Sequence, residues 1–368
     1  MRNKVITILF CLLLISGIGI SAFMPDKYYS ENEKRTLKQF PIISWTDIRS
    51  GKFGDEIEKY LADQFPGRDG WVTVKTIVER ASGKKESGGV YFAKDSYLIE
   101  AFTGYKEKQC FTNIMAIREL SDALYKEGVT LDVMLVPTAS CILSDKLPTY
   151  APNSDQGKII EYAKKQGLNV VEVENALKKH KTEYIFYKTD HHWTSLGAYY
   201  AYAEWISKKS GQAAPISEWK TEILCDNFRG TTYAKVNDPF APYDTITAYY
   251  RNQKHEVNYN NGDYITDSIY ERKYLNGSDQ YAVFLNSNQS ITVVNGGGTG
   301  KLLILKDSYA NCFAQFTVDD YAETHLIDLR FFKGSVQEYV KEHGITEVLV
   351  LYNIPNFIQD TGISRCNQ

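Results

Sequence analysis

The sequence predicts an α/β protein: a parallel sheet with helices on both faces, interrupted by a β-rich insertion. Helical and strand patterns alternate from about residue 106 onward, the order that builds parallel sheets through crossover helices. The strand runs are apolar throughout, as in Leu302-Leu303-Ile304-Leu305, which suits strands covered on both faces. Helical periodicity lapses between about 226 and 295. There, short Tyr/Val/Ile/Thr runs alternate with Asn-Gly, Asn-Asp and Gly-Ser breaks.

Taken in order, Arg2 and Lys4 precede an apolar run from Val5 to Met24. That run reaches the ~20 residues needed to span a bilayer. Cations ahead of such a run stay cytoplasmic, so the rest of the chain is expected to be exported. Residues 1–26 are read as a membrane anchor or signal peptide. An uncleaved anchor is favoured, because no strict Ala-x-Ala is present, although Gly19-Ile20-Ser21 could be cut.

Residues 27–105 lead into the domain. They comprise a polar, extended stalk over 28–41, a helix marked by Phe53, Ile57, Tyr60 and Leu61, and a second helix over 71–78 after the Pro66-Gly67 break. A hairpin over 88–99 turns at Lys94-Asp95. The main domain, 106–368, starts with a helix over 109–127 whose Ile114, Ile117, Leu120 and Leu124 share one face. A strand over 130–136, a helix over 156–166, a strand over 169–173 and a short helix over 175–181 follow. Thr194-Ser195 is the expected N-cap of a helix over 197–207. After the insertion come a strand at 302–305, a helix at 309–316, a strand at 324–329, a helix at 335–343 and a strand at 347–352.

Composition narrows the function. A net charge of -3 with no basic stripe argues against nucleic-acid binding. Six cysteines without Cys-x-x-Cys define neither a disulfide framework nor a zinc-cysteine site. The 27 tyrosines, many between Tyr233 and Tyr281, suit β-sheet edges and, secondarily, stacking on sugars. Asn295-Gly296-Gly297-Gly298 is a turn, since the Walker pattern is absent.

Two short segments carry chemistry. Asp190-His191-His192-Trp193 and Lys306-Asp307-Ser308-Tyr309 together offer a carboxylate, an imidazole and a hydroxyl, the groups of a Ser-His-Asp hydrolase or acyltransferase. Ser308 follows an apolar strand and precedes a helix, and Asp190 and His192 sit just before another helix. Both halves therefore fall at element junctions, where catalytic side chains are commonly displayed. Alone, each segment reads as a turn or a cap.

The segment Asp190-His191-His192-Trp193 resembles the signature of the DHHW protein family, related to the AlgX/AlgJ-type alginate acetyltransferases of the SGNH hydrolase superfamily. Further matching segments are Ser30-Glu31-Asn32-Glu33-Lys34-Arg35 with Phe40-Pro41, Asp63-Gln64-Phe65-Pro66-Gly67-Arg68, Phe228-Arg229-Gly230-Thr231, and Lys306-Asp307-Ser308-Tyr309. The resemblance implies an SGNH-hydrolase-like (flavodoxin-like) sheet with circularly permuted motif order, the acid and base preceding the nucleophile. It implies Asp190 as acid, His192 as base and Ser308 as nucleophile, with His191 the variable middle position.

Around these, the Ser308 amide and Asn353 are candidate oxyanion donors. Tyr309 follows the nucleophile, Arg330 is a candidate for an acidic sugar or donor or else a surface ion pair, and Trp193 is expected beneath the histidine. The implied activity is acetyl transfer to polysaccharide hydroxyls through an acetyl-serine, with no cofactor and no metal. The implied partner is a multi-pass membrane O-acyltransferase that delivers acetyl groups. A carbohydrate O-acetyl esterase and a non-catalytic glycan-binding or scaffold subunit are the alternatives. The Asp-His-His pattern of manganese phosphoesterases is set aside, because His180, His255, His325 and His343 lack metal-site spacing. The expected location is the cell membrane with the catalytic domain outside the cytoplasm, or secretion if the leader is cleaved.

Overall fold

The computed structural model describes residues 2–21, 23–30, 35–209, 211–251 and 254–367. It divides into two compact units, residues 1–88 with 233–240, and residues 89–232 with 241–368.

In the first unit the apolar run forms the helix Arg2–Ser21. Among the described residues no helix is long and apolar enough to cross a membrane, and several side chains of this helix lie outside them. Single-pass anchoring therefore has no support from the fold. The segment read as a stalk instead pairs with itself, Tyr29–Ser30 against Arg35–Thr36; the motif residues 31–34 lie outside the described residues. It is also tied to the helix Lys52–Gln64. Gln64 accepts from the Lys27 amide and donates to the Lys27 and Lys38 carbonyls, each at 2.9 Å, while Asp63 accepts from the Lys38 amide at 2.9 Å. Gly67, at φ 66°, makes the left-handed break that starts the helix Arg68–Ala81.

The second unit is built on a sheet of eight strands. Asn169–Val170, Thr130–Val136, Glu347–Asn353, Lys301–Lys306 and Glu323–Ile327 lie side by side in parallel. The strands Ile291–Asn295, Val257–Tyr259 and Tyr264–Thr266 then continue the sheet antiparallel. The expected parallel sheet is thus a mixed one. Part of the insertion extends it rather than packing beside it, because Val257, Tyr259 and Val294 pair and bury like sheet residues. A separate antiparallel pair, Lys220–Phe228 with Asp244–Tyr250, begins just ahead of the expected insertion and runs into it.

Alternate side chains of the central strands enter two different cores. Leu302, Ile304, Leu349 and Leu351 join Trp193, Ala198, Trp205 and Phe313 on one face. Leu303, Leu305, Val348 and Val350 join Ile114, Ile117, Leu120 and Leu124 on the other. The first face carries the helices Ser195–Lys208 and Tyr309–Phe313; the second carries Glu107–Lys126, Gly157–Lys165 and Val336–His343. The hairpin expected at 88–99 is present as Val90–Phe92 against Leu98–Glu100. All six cysteines are free.

Candidate active site

The parallel strands end together, and Ser308 lies just past the end of Lys301–Lys306. Asp307 fixes that corner. Its Oδ1 accepts from the Tyr309 amide at 2.9 Å, and its Oδ2 accepts from the Asn353 amide at 3.0 Å and Asn356 Nδ2 at 2.8 Å. The carboxylate thus links the turn after one strand to the end of its neighbour, Glu347–Asn353. Burial pushes the Asp307 carboxyl up, and these donors oppose that shift. Lys306 is buried as well. It donates to Asn311 Oδ1 at 2.8 Å and Asn288 Oδ1 at 3.0 Å, and its pKa falls to about 8 because burial disfavours the ammonium.

The Asp190–Trp193 loop enters from the insertion side. Phe186 and Trp193 bridge antiparallel, and Thr194 caps the helix Ser195–Lys208 by accepting from the Gly197 amide at 3.3 Å. Asp244 holds the preceding turn, accepting from the Lys188 amide at 2.9 Å, the Thr189 amide at 2.7 Å, the Thr189 hydroxyl at 2.6 Å and the Tyr184 hydroxyl. Burial raises the Asp244 carboxyl, again against its donors. Gly230 is required by close approach: a Cβ there would sit 2.1 Å from Asp190 Oδ2. Its neighbour Thr231 gives Asp190 Oδ2 its amide at 2.7 Å and its hydroxyl at 3.0 Å.

These scaffolds bring three side chains into line. Asp190 Oδ1 lies 2.5 Å from His192 Nδ1, and His192 Nε2 lies 2.7 Å from Ser308 Oγ. Asp190 and His192 are buried, 2% and 4% exposed. The Tyr281 ring stacks on His192, with centroids 3.9 Å apart and planes at 13°, which restrains the plane of the imidazole. A carboxylate at Nδ1 keeps the proton there and leaves Nε2 to accept the serine proton.

The other sequence candidates divide. Trp193 is fully buried, donates to the Tyr309 carbonyl at 3.0 Å and packs on Phe313, so its ring supports the loop and faces no ligand. Tyr309 is buried beside it, its hydroxyl donating to the His191 carbonyl at 2.5 Å. The Asn353 side chain accepts from the Asn356 amide at 2.8 Å as a helix N-cap. Arg330 is held by Asp328 through Nε at 2.8 Å and through a terminal nitrogen, an ion pair within one turn. Sequence reasoning gave no role to Gly230 and Thr231, although their motif was visible, and missed Asp244 and Tyr281, which carry no local signal.

Asp190, His191 and His192 offer ligand atoms within 4.8 Å of one another, close enough for a metal ion. Both Asp190 oxygens and both His192 nitrogens already face protein partners, so the set fits proton transfer better than ligation.

The fold and site define an α/β protein with a buried acid–imidazole–hydroxyl line at the end of a mixed sheet. The chain belongs to the DHHW protein family, whose model matches residues 75–327. A DHHW family protein from Eubacterium siraeum has the same fold, with a TM-score of 0.66 and 24% identity over 77% of this chain and 96% of its own. The structure of Bacillus cereus PatB1 with a sulfonyl adduct matches with a TM-score of 0.63 and 19% identity, over 76% of this chain and 98% of its own. In sequence, the chain is 23% identical over 221 residues to a probable alginate O-acetylase, AlgJ, of Pseudomonas syringae pv. tomato. That match spans 58% of this chain and 56% of the relative.

Proposed function

We propose that this protein is an O-acetyltransferase, acting outside the cytoplasm on hydroxyls of a cell-surface or secreted polysaccharide. The observation that carries the reading is the Asp190–His192–Ser308 line, with its 2.5 Å and 2.7 Å contacts. The probable alginate O-acetylase among the relatives supports the acetyl group and the glycan acceptor. The order of the motifs, acid and base ahead of nucleophile, supports a permuted SGNH-like arrangement.

His192 Nε2 takes the Ser308 proton as Oγ attacks the acetyl carbonyl. The oxyanion is met by the Ser308 amide; the Tyr309 amide is already given to Asp307. The leaving group departs with the proton from His192, and acetyl-Ser308 remains. A sugar hydroxyl then attacks that ester, passing its proton to His192. Collapse returns the proton to Ser308 Oγ and leaves the acetyl on the sugar. Asp190 stays ionised throughout and orients the imidazole. A multi-pass membrane O-acyltransferase is the proposed source of acetyl groups, with the helix Arg2–Ser21 keeping the chain at the membrane or serving as a cleaved leader.

The test is incubation of the full chain with p-nitrophenyl acetate, with and without a soluble glycan, followed by mass spectrometry. Acetyl on Ser308 and then on glycan, both lost in Ser308→Ala, is the expected result. Serine-dependent release to water alone, across diverse glycans, gives the esterase instead. Glycan binding with no serine-dependent turnover gives a binding subunit.

A further inference from the structure

Asp190 serves two histidines. Its Oδ1 faces His192 Nδ1, while its Oδ2 accepts from the Thr231 hydroxyl at 3.0 Å. That same hydroxyl lies 2.5 Å from His191 Nδ1. A threonine hydroxyl has one hydrogen, and here the carboxylate takes it. The bond to His191 must then draw its hydrogen from Nδ1. Neutral His191 is left with Nε2 as a bare acceptor. Asp190 thereby sets the same tautomer in both rings, directly in His192 and through Thr231 in His191.

The two rings differ in what they face. His192 Nε2 is taken by Ser308 Oγ. His191 Nε2 has no hydrogen-bond partner among the described residues, and the His191 side chain is 26% exposed against 5% for His192. The rings lie beside each other, with centroids 3.9 Å apart. The Tyr309 hydroxyl pins the His191 carbonyl at 2.5 Å, so the partly exposed ring stands on a fixed backbone.

We propose that His191 Nε2 accepts a hydrogen bond from a second hydroxyl of the acceptor sugar, next to the one being acetylated, so that the site selects vicinal diols. This rests on the acetyltransferase reading above. During transfer the attacking hydroxyl gives its proton to His192, and the hydroxyl on the adjacent carbon meets the neighbouring imidazole. An acetyl ester carbonyl has no O–H to offer, so loading of Ser308 makes no use of this contact. The middle histidine of the motif thus acts in acceptor choice, outside the proton path.

The experiment compares a methyl glycoside carrying a vicinal diol with its monodeoxy analogue, using p-nitrophenyl acetate as donor. The wild-type chain is expected to favour the diol roughly tenfold in kcat/KM, the scale of one well-placed hydrogen bond. His191→Phe keeps the ring packing and removes the nitrogen. It should raise KM for the diol about tenfold, to the value for the deoxy sugar, with a much smaller change in acetyl-Ser308 formation. Long-range ¹H–¹⁵N spectra should place the His191 proton on Nδ1 and shift Nε2 as the diol is titrated. An unchanged diol preference in His191→Phe overturns the inference. So does a parallel loss of Ser308 acetylation and transfer, or a proton found on Nε2. If the wild-type chain releases acetyl to water and acetylates neither glycoside, the acetyltransferase reading fails, and the diol titration still decides His191 by itself.

Discussion

Ser308 and His192 meet 2.7 Å apart, yet they are carried there by scaffolds of different kinds. Ser308 stands at the end of a parallel strand, its corner stitched to the next strand through Asp307 and the amides of Tyr309 and Asn353. Asp190 and His192 stand on a loop, held by Thr231 and by Asp244 from the insertion. The two buried carboxylates make the contrast plain. Among the described residues Asp307 accepts only from amides, which have no proton to trade near neutral pH; Asp190 accepts from two amides but also from an imidazole and a hydroxyl. On the proposed function the strand half supplies rigidity and the loop half proton chemistry, and substitutions should sort the same way.

The largest effects are expected in the loop half. His192→Ala and Asp190→Asn should each slow acetyl-ester turnover by about 10²–10⁴-fold while Tm stays nearly constant. Turnover assays beside thermal melts check this; comparable losses of Tm would mean that the loop is a structural brace. Gly230→Ala comes next. Its new methyl must displace the Asp190 carboxylate, so turnover should drop at least ~10-fold and stability by about 1–3 kcal/mol. Gly297→Ala is the control, since nothing lies within 4 Å of a Cβ there.

Substitutions in the strand half should show up in stability instead. Lys306 titrates near 8 when folded and near 10.5 when unfolded. Between those values the unfolded chain holds the extra proton, so stability rises with pH across that window. Below pH 8 the buried charge costs about 3 kcal/mol, a penalty relieved above pH 10.5. Denaturation of the wild type and Lys306→Met at pH 7.5 and 10 should show the difference moving in favour of the wild type as pH rises. The smallest effect is expected at Asn353. As an N-cap, its replacement by alanine should cost about 1 kcal/mol with turnover little altered. A turnover loss near 100-fold in that variant would instead make its side chain an oxyanion donor.

How much of this was legible in the sequence follows from the range of each interaction. The helix Glu107–Lys126 and the strand Thr130–Val136 were readable because 3.6-residue and continuous apolar patterns are local. The motif of Asp190 and His192 and the strand-to-helix junction at Ser308 were readable for the same reason. The antiparallel edge was not, because pairing partners 37 residues apart, such as Val257 and Val294, leave no mark on either segment. The pairing within 28–41 was not legible either, because the Lys38 amide and the Lys27 carbonyl beside it bond to Asp63 and Gln64, which lie beyond any local window.

By itself, then, the sequence determined the α/β pattern, the strand ends and the chemical kinds of group available, all properties of short runs of side chains. Only the tertiary structure decided which groups touch. It brought Ser308 across 116 positions to His192, laid the Tyr281 ring on that imidazole and pressed Gly230 against Asp190. It also set the Thr231 hydroxyl between Asp190 and His191, the contact from which His191 is proposed to be left as an acceptor. Hydrogen-bond direction depends on atoms within about 3 Å, and only the folded chain fixes distances on that scale.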